Sequence, residues 1–349
     1  MRLYVTGATG FVGRYVVAAA LAAGHDVRAV VRPSSEVELP PVLPSGNGSV
    51  PPAVGALDTA RVDLRSPTGL APSLTDVDAV IHLAAAKAGD FHTQFAGTVT
   101  ATENLLSAMT EAGVPALVGV STFSVYDYRA LRSGDLVTEA SPIDTEPERR
   151  DEYARTKLLQ EQLYRRFGRD EGRRVVIVRP GMIYGRDNLW HALLGAELGP
   201  RFLRIGRRAV LPLCYVENCA EALVLAAEGV ARQPSPLAGE TINLVDDDLP
   251  TQADYARRVS AVIDTPPTVP VPWPVVRLGA EVLQRGNELL VDGRAKFPGI
   301  VVPDRLHARF KPLRYTNEKA KRLLGWSPRF DTATAIERSV AEVEVAAGE

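Results

Sequence analysis

Tyr153 and Lys157 stand four residues apart in Tyr153-Ala154-Arg155-Thr156-Lys157. On a helix this spacing puts a phenol and an ammonium on one face, one turn apart. A free phenol has a pKa near ~10, too high for a base at neutral pH, and a neighbouring ammonium favours the phenolate. Such a pair could pass a proton to or from a substrate oxygen. Surface Tyr–Lys pairs also arise by chance, so position must add weight. Upstream, Val120-Ser121-Thr122-Phe123-Ser124-Val125-Tyr126 closes a strand-like run with hydroxyls. In isolation, hydroxyls at a strand end are usually turn formers.

A second constellation sits near the start. Thr6-Gly7-Ala8-Thr9-Gly10-Phe11-Val12-Gly13 lies between a strand-like and a helix-like run. A dinucleotide pyrophosphate needs close backbone approach, which glycines allow, and free amides at a helix N-terminus. At the end of the next strand, Val30-Val31-Arg32-Pro33-Ser34-Ser35 offers no acid for a ribose 2′-hydroxyl. Arg32 could instead take a 2′-phosphate, which suits a guanidinium. The plain alternative is a solvated Arg.

These groups need a scaffold that brings strand ends together. Residues 2–6, 27–31, 79–83, 116–120 and 175–178 read as strands, and 11–23, 102–112 and 153–167 as helices. The alternation predicts an α/β fold, a parallel sheet with helices on both faces. Residues 36–60 are rich in Pro, Gly and Ser and read as a surface insertion. Beyond Gly181 the pattern loosens into a smaller lobe, punctuated by prolines at 266–274 and across 296–303. Residues 241–245 are expected to return to the sheet.

Bulk properties bound the function. The chain has 349 residues, 46% of them hydrophobic, with a formal net charge of −2. That gives no global pull toward nucleic acid or anionic membrane. The two cysteines, Cys214 and Cys219, make neither a disulfide framework nor a metal site, and no metal is expected. No apolar run reaches the roughly 18 residues of a membrane helix. Residues 271–283 are the most amphipathic stretch and read as a docked surface helix. With no targeting segment visible, a cytoplasmic location is expected.

The ordered set of G-x-x-G-x-x-G turn, Y-x-x-x-K, Arg179-Pro180-Gly181-Met182-Ile183-Tyr184-Gly185 and Leu323-Leu324-Gly325-Trp326-Ser327-Pro328 resembles the short-chain dehydrogenase/reductase superfamily. The likeness is to its extended branch, which holds sugar-nucleotide epimerases and hydroxysteroid dehydrogenases. It implies a Rossmann-type doubly wound sheet over residues 1–180 and a mainly substrate-binding mixed lobe over 181–349. It implies Thr122, Tyr153 and Lys157 as catalytic residues, with Thr122 in the position that holds the reacting oxygen and Ser121 and Ser124 as secondary candidates for it. Gly7, Thr9, Gly10, Phe11, Val12, Gly13, Arg32, Asp63, Leu64, Leu83, Ala84, Ala85, Lys87, Pro180, Met182 and Ile183 fall where the cofactor lies, with Tyr153 and Lys157 beside it. Ser124, Tyr184, Trp190 and His191 are expected near substrate, with packing as the equal alternative for the last three and for Met182. His82 is expected to be a satisfied core histidine.

The departures matter too. Asp127 replaces the Gly after Val-Tyr, and Thr98 replaces the Asn of the N-V-x-G-T helix. Phe123-Ser124 replaces the Asp-Glu of dehydratases. Tyr215-Val216-Glu217-Asn218 is closer to the hydroxysteroid-dehydrogenase-like members. The implied reaction is interconversion of a secondary alcohol and a ketone on a partly apolar molecule, with NADP favoured over NAD. A nucleotide-sugar epimerase with tightly held NAD is the rival enzyme, and a dinucleotide-binding regulator the non-enzymatic one. The resemblance also implies a homodimer paired through helices 102–112 and 153–167.

Overall fold

The structure is a computed structural model that describes residues 1–34, 55–190, 194–198, 201–291 and 303–347. Seven strands form the central sheet: β1 (Arg2–Thr6), β2 (Asp26–Val31), β3 (Leu57–Arg61), β4 (Ala79–His82), β5 (Ala116–Val120), β6 (Arg174–Pro180) and β7 (Thr241–Leu244). Their order is β7-β6-β5-β4-β1-β2-β3, and every pairing is parallel. The order reverses at β1, which puts a crevice at the carboxyl ends of β1 and β4.

The strands are apolar on both faces because both faces are covered. Leu3, Val5, Ala79, Ile81, Val118, Val176 and Val178 join one core cluster with helices α1 (Phe11–Ala22) and α4 (Val216–Ala231). Tyr4, Val80, Leu117, Val175 and Ile177 alternate with them into a second cluster. That cluster is closed by α2 (Ala101–Glu111) and α3 (Glu152–Asp170). Helix α3 starts because Asp151 accepts the Ala154 N–H at 2.9 Å, an N-cap that satisfies one orphan amide.

Two expectations change. Residues 36–60 are not all insertion: Leu57–Arg61 is the edge strand β3, in register with β2 from Val27↔Leu57 to Val31↔Arg61. Its sequence hid it, because an edge strand can stay polar and only Ala60 is buried. Residues 35–54 lie outside the described residues. Helix α2 is the end of a longer helical run that begins at Phe91 and passes through a π-turn over Ala96–Thr100. The predicted surface helix is α5 (Trp273–Val291), docked by Trp273, Val276 and Ala280 on Leu306 and Phe310 of α6 (Pro303–Phe310). Val275, Leu278, Val282 and Leu283 of α5 remain exposed. Most of the proline-marked stretch 296–303 lies outside the described residues.

The return of residues 241–245 to the sheet is observed: β7 pairs with β6 from Thr241↔Ile177 to Leu244↔Pro180. Smaller sheets accompany the central one. Gly195–Leu198, Arg201–Ile205 and Thr268–Val271 form one, and Met182–Tyr184 pairs with Leu213–Tyr215 in another. Cys214 and Cys219 are buried free thiols.

Candidate active site

The glycine turn occupies the crevice at the end of β1. Gly7 has φ +68°, and a Cβ there would meet the Ala84 backbone N at 3.1 Å. A Cβ on Gly13 would lie 2.0 Å from the Gly7 carbonyl oxygen, so only glycine lets α1 come this close to the turn. Gly10 is the N-cap of α1 and brings no side-chain hydrogen bond to its first amides. Those amides and the helix dipole fit a pyrophosphate. Val12 is buried in the core, so only its backbone can face a cofactor, whereas Phe11 is half-buried and stacks edge-on with Tyr15. Thr9 is half-buried on the same turn.

Arg32 is exposed just past β2. Arg28 is committed elsewhere, to Asp58 across the β2–β3 pair at 2.9 Å. Asp63 is held by Arg65 at 2.6 Å, and that hydrogen bond is the main reason its carboxyl lies below the usual range. Leu64 is buried, and its carbonyl accepts the Asn104 side-chain N–H at 2.9 Å. Asn104 thus pins this loop.

Leu83 and Ala84 leave β4 and direct their N–H groups to the Thr6 hydroxyl, both at 3.2 Å. Ala85 follows them, half-buried, and Lys87 is exposed. Thr98 accepts the Ala86 N–H at 3.0 Å, so the Thr in place of Asn still anchors this backbone. His82 is fully buried between Thr6 and Thr102, and burial pushes its imidazole down to about 3, so it stays neutral.

Tyr153 and Lys157 lie on α3 beside Thr122 at the end of β5. Burial pushes the Tyr153 phenol above its ordinary pKa, and a hydrogen bond with Thr122 opposes that rise. The expected lowering by Lys157 gives way to Thr122, because the ammonium is turned to the Val120 carbonyl at 2.7 Å and to Gln160. Burial brings Lys157 down to about 7, with Glu161 opposing and Lys87 adding to the fall. Ser124 donates its N–H to Thr122 Oγ1 at 3.2 Å and remains half-exposed beside it.

Ser121 is not available to substrate. Its hydroxyl donates to Glu161 Oε2 at 2.7 Å, and Glu161 also accepts Arg179 Nη2 at 2.5 Å. Arg179 in turn donates to the Tyr126 hydroxyl at 3.0 Å. Arg150, which sequence reasoning passed over, clamps the loop before Tyr153 by donating to the Tyr126 and Ser124 carbonyls at 3.1 and 2.9 Å. Its nearness to Y-x-x-x-K was the only signal. Asp127 accepts the Arg129 N–H at 2.9 Å and so makes its own turn in place of the family's Gly.

Pro180 and Met182 are buried and Ile183 half-buried past β6. Tyr184 is fully buried between Tyr215 and Tyr255, and Trp190 packs on Phe202 with ring centroids 5.2 Å apart. Packing is therefore what the structure shows for these two. His191 lies outside the described residues. Among the described residues, no cluster could hold a metal and no helix is long and apolar enough to cross a membrane.

Residues 3–244 match the NAD dependent epimerase/dehydratase family. A 4-hydroxy-2-methyl-3-oxo-4-farnesyl-3,4-dihydroquinoline-1-oxide ketoreductase of Stigmatella aurantiaca is 32% identical over 65% of this chain and 65% of its own length. The chain thus spans just under two thirds of that relative. A 3 beta-hydroxysteroid dehydrogenase/Delta 5-->4-isomerase of Mycobacterium tuberculosis (strain CDC 1551 / Oshkosh) is 28% identical over 96% of this chain and 88% of its own. The crystal structure of gox2253 superposes with TM-score 0.74 at 26% identity, covering 99% of this chain and 98% of that one.

Proposed function

The chain belongs to the NAD dependent epimerase/dehydratase family, and from that premise we propose that it interconverts a secondary alcohol and a ketone on a partly apolar small molecule. The observation that carries this reading is the Thr122–Tyr153 contact, a hydroxyl hydrogen-bonded to a half-buried phenol at the strand-end crevice. The names of the ketoreductase and hydroxysteroid dehydrogenase relatives point the same way.

In ketone reduction Tyr153 donates its phenolic proton to the substrate oxygen, and in alcohol oxidation it removes that proton. Thr122 holds the same oxygen by hydrogen bonding. An ammonium has three donor hydrogens. Lys157 directs two of them at Val120 and Gln160, leaving the third for the nicotinamide ribose. When bound, the nicotinamide supplies or accepts the hydride. The residues that would hold it are the Gly7–Gly13 turn, the backbone of residues 83–85 and residues 180–183. Arg32, charged, exposed and past the end of β2, favours NADP over NAD through a 2′-phosphate.

The test is oxidation of NADPH and NADH, followed optically, against a panel of apolar ketones and of nucleotide sugars. Ketone-dependent oxidation of NADPH supports the proposal. Interconversion of nucleotide-sugar epimers without net nucleotide oxidation would replace it with the epimerase reading.

A further inference from the structure

A buried chain of polar groups runs from the phosphate-binding turn to the catalytic lysine, and the direction of each hydrogen follows from counting donors and acceptors. Thr6 Oγ1 accepts the Leu83 and Ala84 N–H groups at 3.2 Å each, so its own hydrogen goes to His82 Nδ1 at 2.6 Å. The other ring nitrogen, Nε2, therefore carries the proton of the neutral imidazole and donates to Thr102 Oγ1 at 2.9 Å. The Thr102 hydroxyl hydrogen goes to the Thr98 carbonyl at 2.6 Å. Thr102 Oγ1 can thus only accept from Gln160, whose Nε2 lies 2.8 Å away. The Gln160 amide has one orientation, with its NH2 toward Thr102 and its oxygen toward Lys157. Flipping it would set NH2 against an ammonium that has donors only.

We propose that Gln160 is a positioning residue: its amide, locked by Thr102 and the Ala84 carbonyl, presents its own carbonyl oxygen to Lys157 and so fixes where the ammonium points and keeps it charged. This rests on the oxidoreductase reading of the same site. Gln160 is fully buried and adjoins Glu161 in sequence, so its polarity has no solvent role. The charged and titratable groups facing Lys157 are Glu161, paired with Arg179 and Arg165, Lys87 and neutral His82. Burial works against the charge and Lys87 adds to that, while Glu161 favours it. Gln160 Oε1 adds a direct acceptor. Together with the Val120 carbonyl it leaves a single ammonium hydrogen for the ribose.

The test measures NADPH affinity by fluorescence from pH 6 to pH 10, with turnover alongside, in wild type, Gln160→Met and Gln160→Glu. Gln160→Met keeps the length and removes the acceptor. It should weaken NADPH about tenfold at pH 8, as loss of a hydrogen bond to a charged group does. It should also move the alkaline midpoint of binding and of kcat/KM down by about one pH unit, because the ammonium loses its proton sooner. Gln160→Glu keeps an oxygen toward Lys157 and should hold the midpoint at or above wild type. If Gln160→Met does not fold, Thr102→Val frees the amide and should move the midpoint down as well. A wild-type midpoint in the acceptor-free variants, or equal shifts in Met and Glu variants, overturns the proposal. A wild type that binds neither NADPH nor NADH overturns the oxidoreductase reading and this proposal with it.

Discussion

Glu161 and Arg179 form a buried pair at the end of the sheet, with Arg179 Nη2 2.5 Å from Oε1 and Nε 3.0 Å from Oε2. Burial pushes the Glu161 carboxyl up. Arg179, Ser121 and Arg165 outweigh it and bring the pKa down to about 2, from an ordinary 4.5. A depressed carboxylate stabilises the fold fully above its unfolded pKa, and that contribution is lost as the pH falls from about 4.5 toward 2. Glu161→Gln leaves Arg179 buried without its counter-charge and should cost about 3 kcal/mol at neutral pH. Urea unfolding at pH 7 and pH 3.5 checks this: the gap between wild type and variant should narrow at the lower pH.

Tyr153→Phe removes the phenolic hydroxyl and leaves the ring in place. Turnover should fall by about 10²–10⁴-fold, the usual worth of general acid–base catalysis. Nucleotide affinity should stay within about twofold, since the glycine turn and β4 backbone provide the binding surface. Steady-state kinetics together with nucleotide titration separate the two effects, and near wild-type turnover would sink the assignment.

Arg32 stands exposed beyond β2. Arg32→Ser should therefore leave stability unchanged and weaken NADPH by about tenfold or more, the worth of a charge-assisted hydrogen bond. NADH affinity should change little. Parallel titrations with both nucleotides read the preference directly, and an equal loss for the two would remove Arg32 from the phosphate site.

Gly13→Ala places a methyl 2.0 Å from the Gly7 carbonyl oxygen and 2.8 Å from Ala8 Cα, both backbone atoms that cannot swing aside. The turn must open from α1. The expected cost is about 1–3 kcal/mol of stability, with weaker nucleotide binding than wild type. Denaturant unfolding and the same titration measure both.

The parallel sheet, the glycine turn and the Tyr153–Lys157 pair were legible in the sequence because each depends on local rules. Apolar runs four to six residues long mark doubly covered strands. Glycine is demanded where φ is positive or where helix and turn touch. A spacing of four puts two side chains on one helix face. Strand β3 was missed because an edge strand need not be apolar. The partners that set the chemistry were not legible either. Thr122 rather than Lys157 opposes the rise of the Tyr153 phenol. Arg65 holds Asp63, and Gln160 holds Lys157. The Thr6–His82–Thr102–Gln160 chain joins residues from β1, β4, α2 and α3. Sequence alone determined which residue types stand at the strand ends and helix faces, since propensity and period act over a few neighbours. Only the tertiary structure decided which donor meets which acceptor. Packing two helices on one sheet face brings together groups far apart along the chain, and burial then removes the water that would otherwise satisfy them.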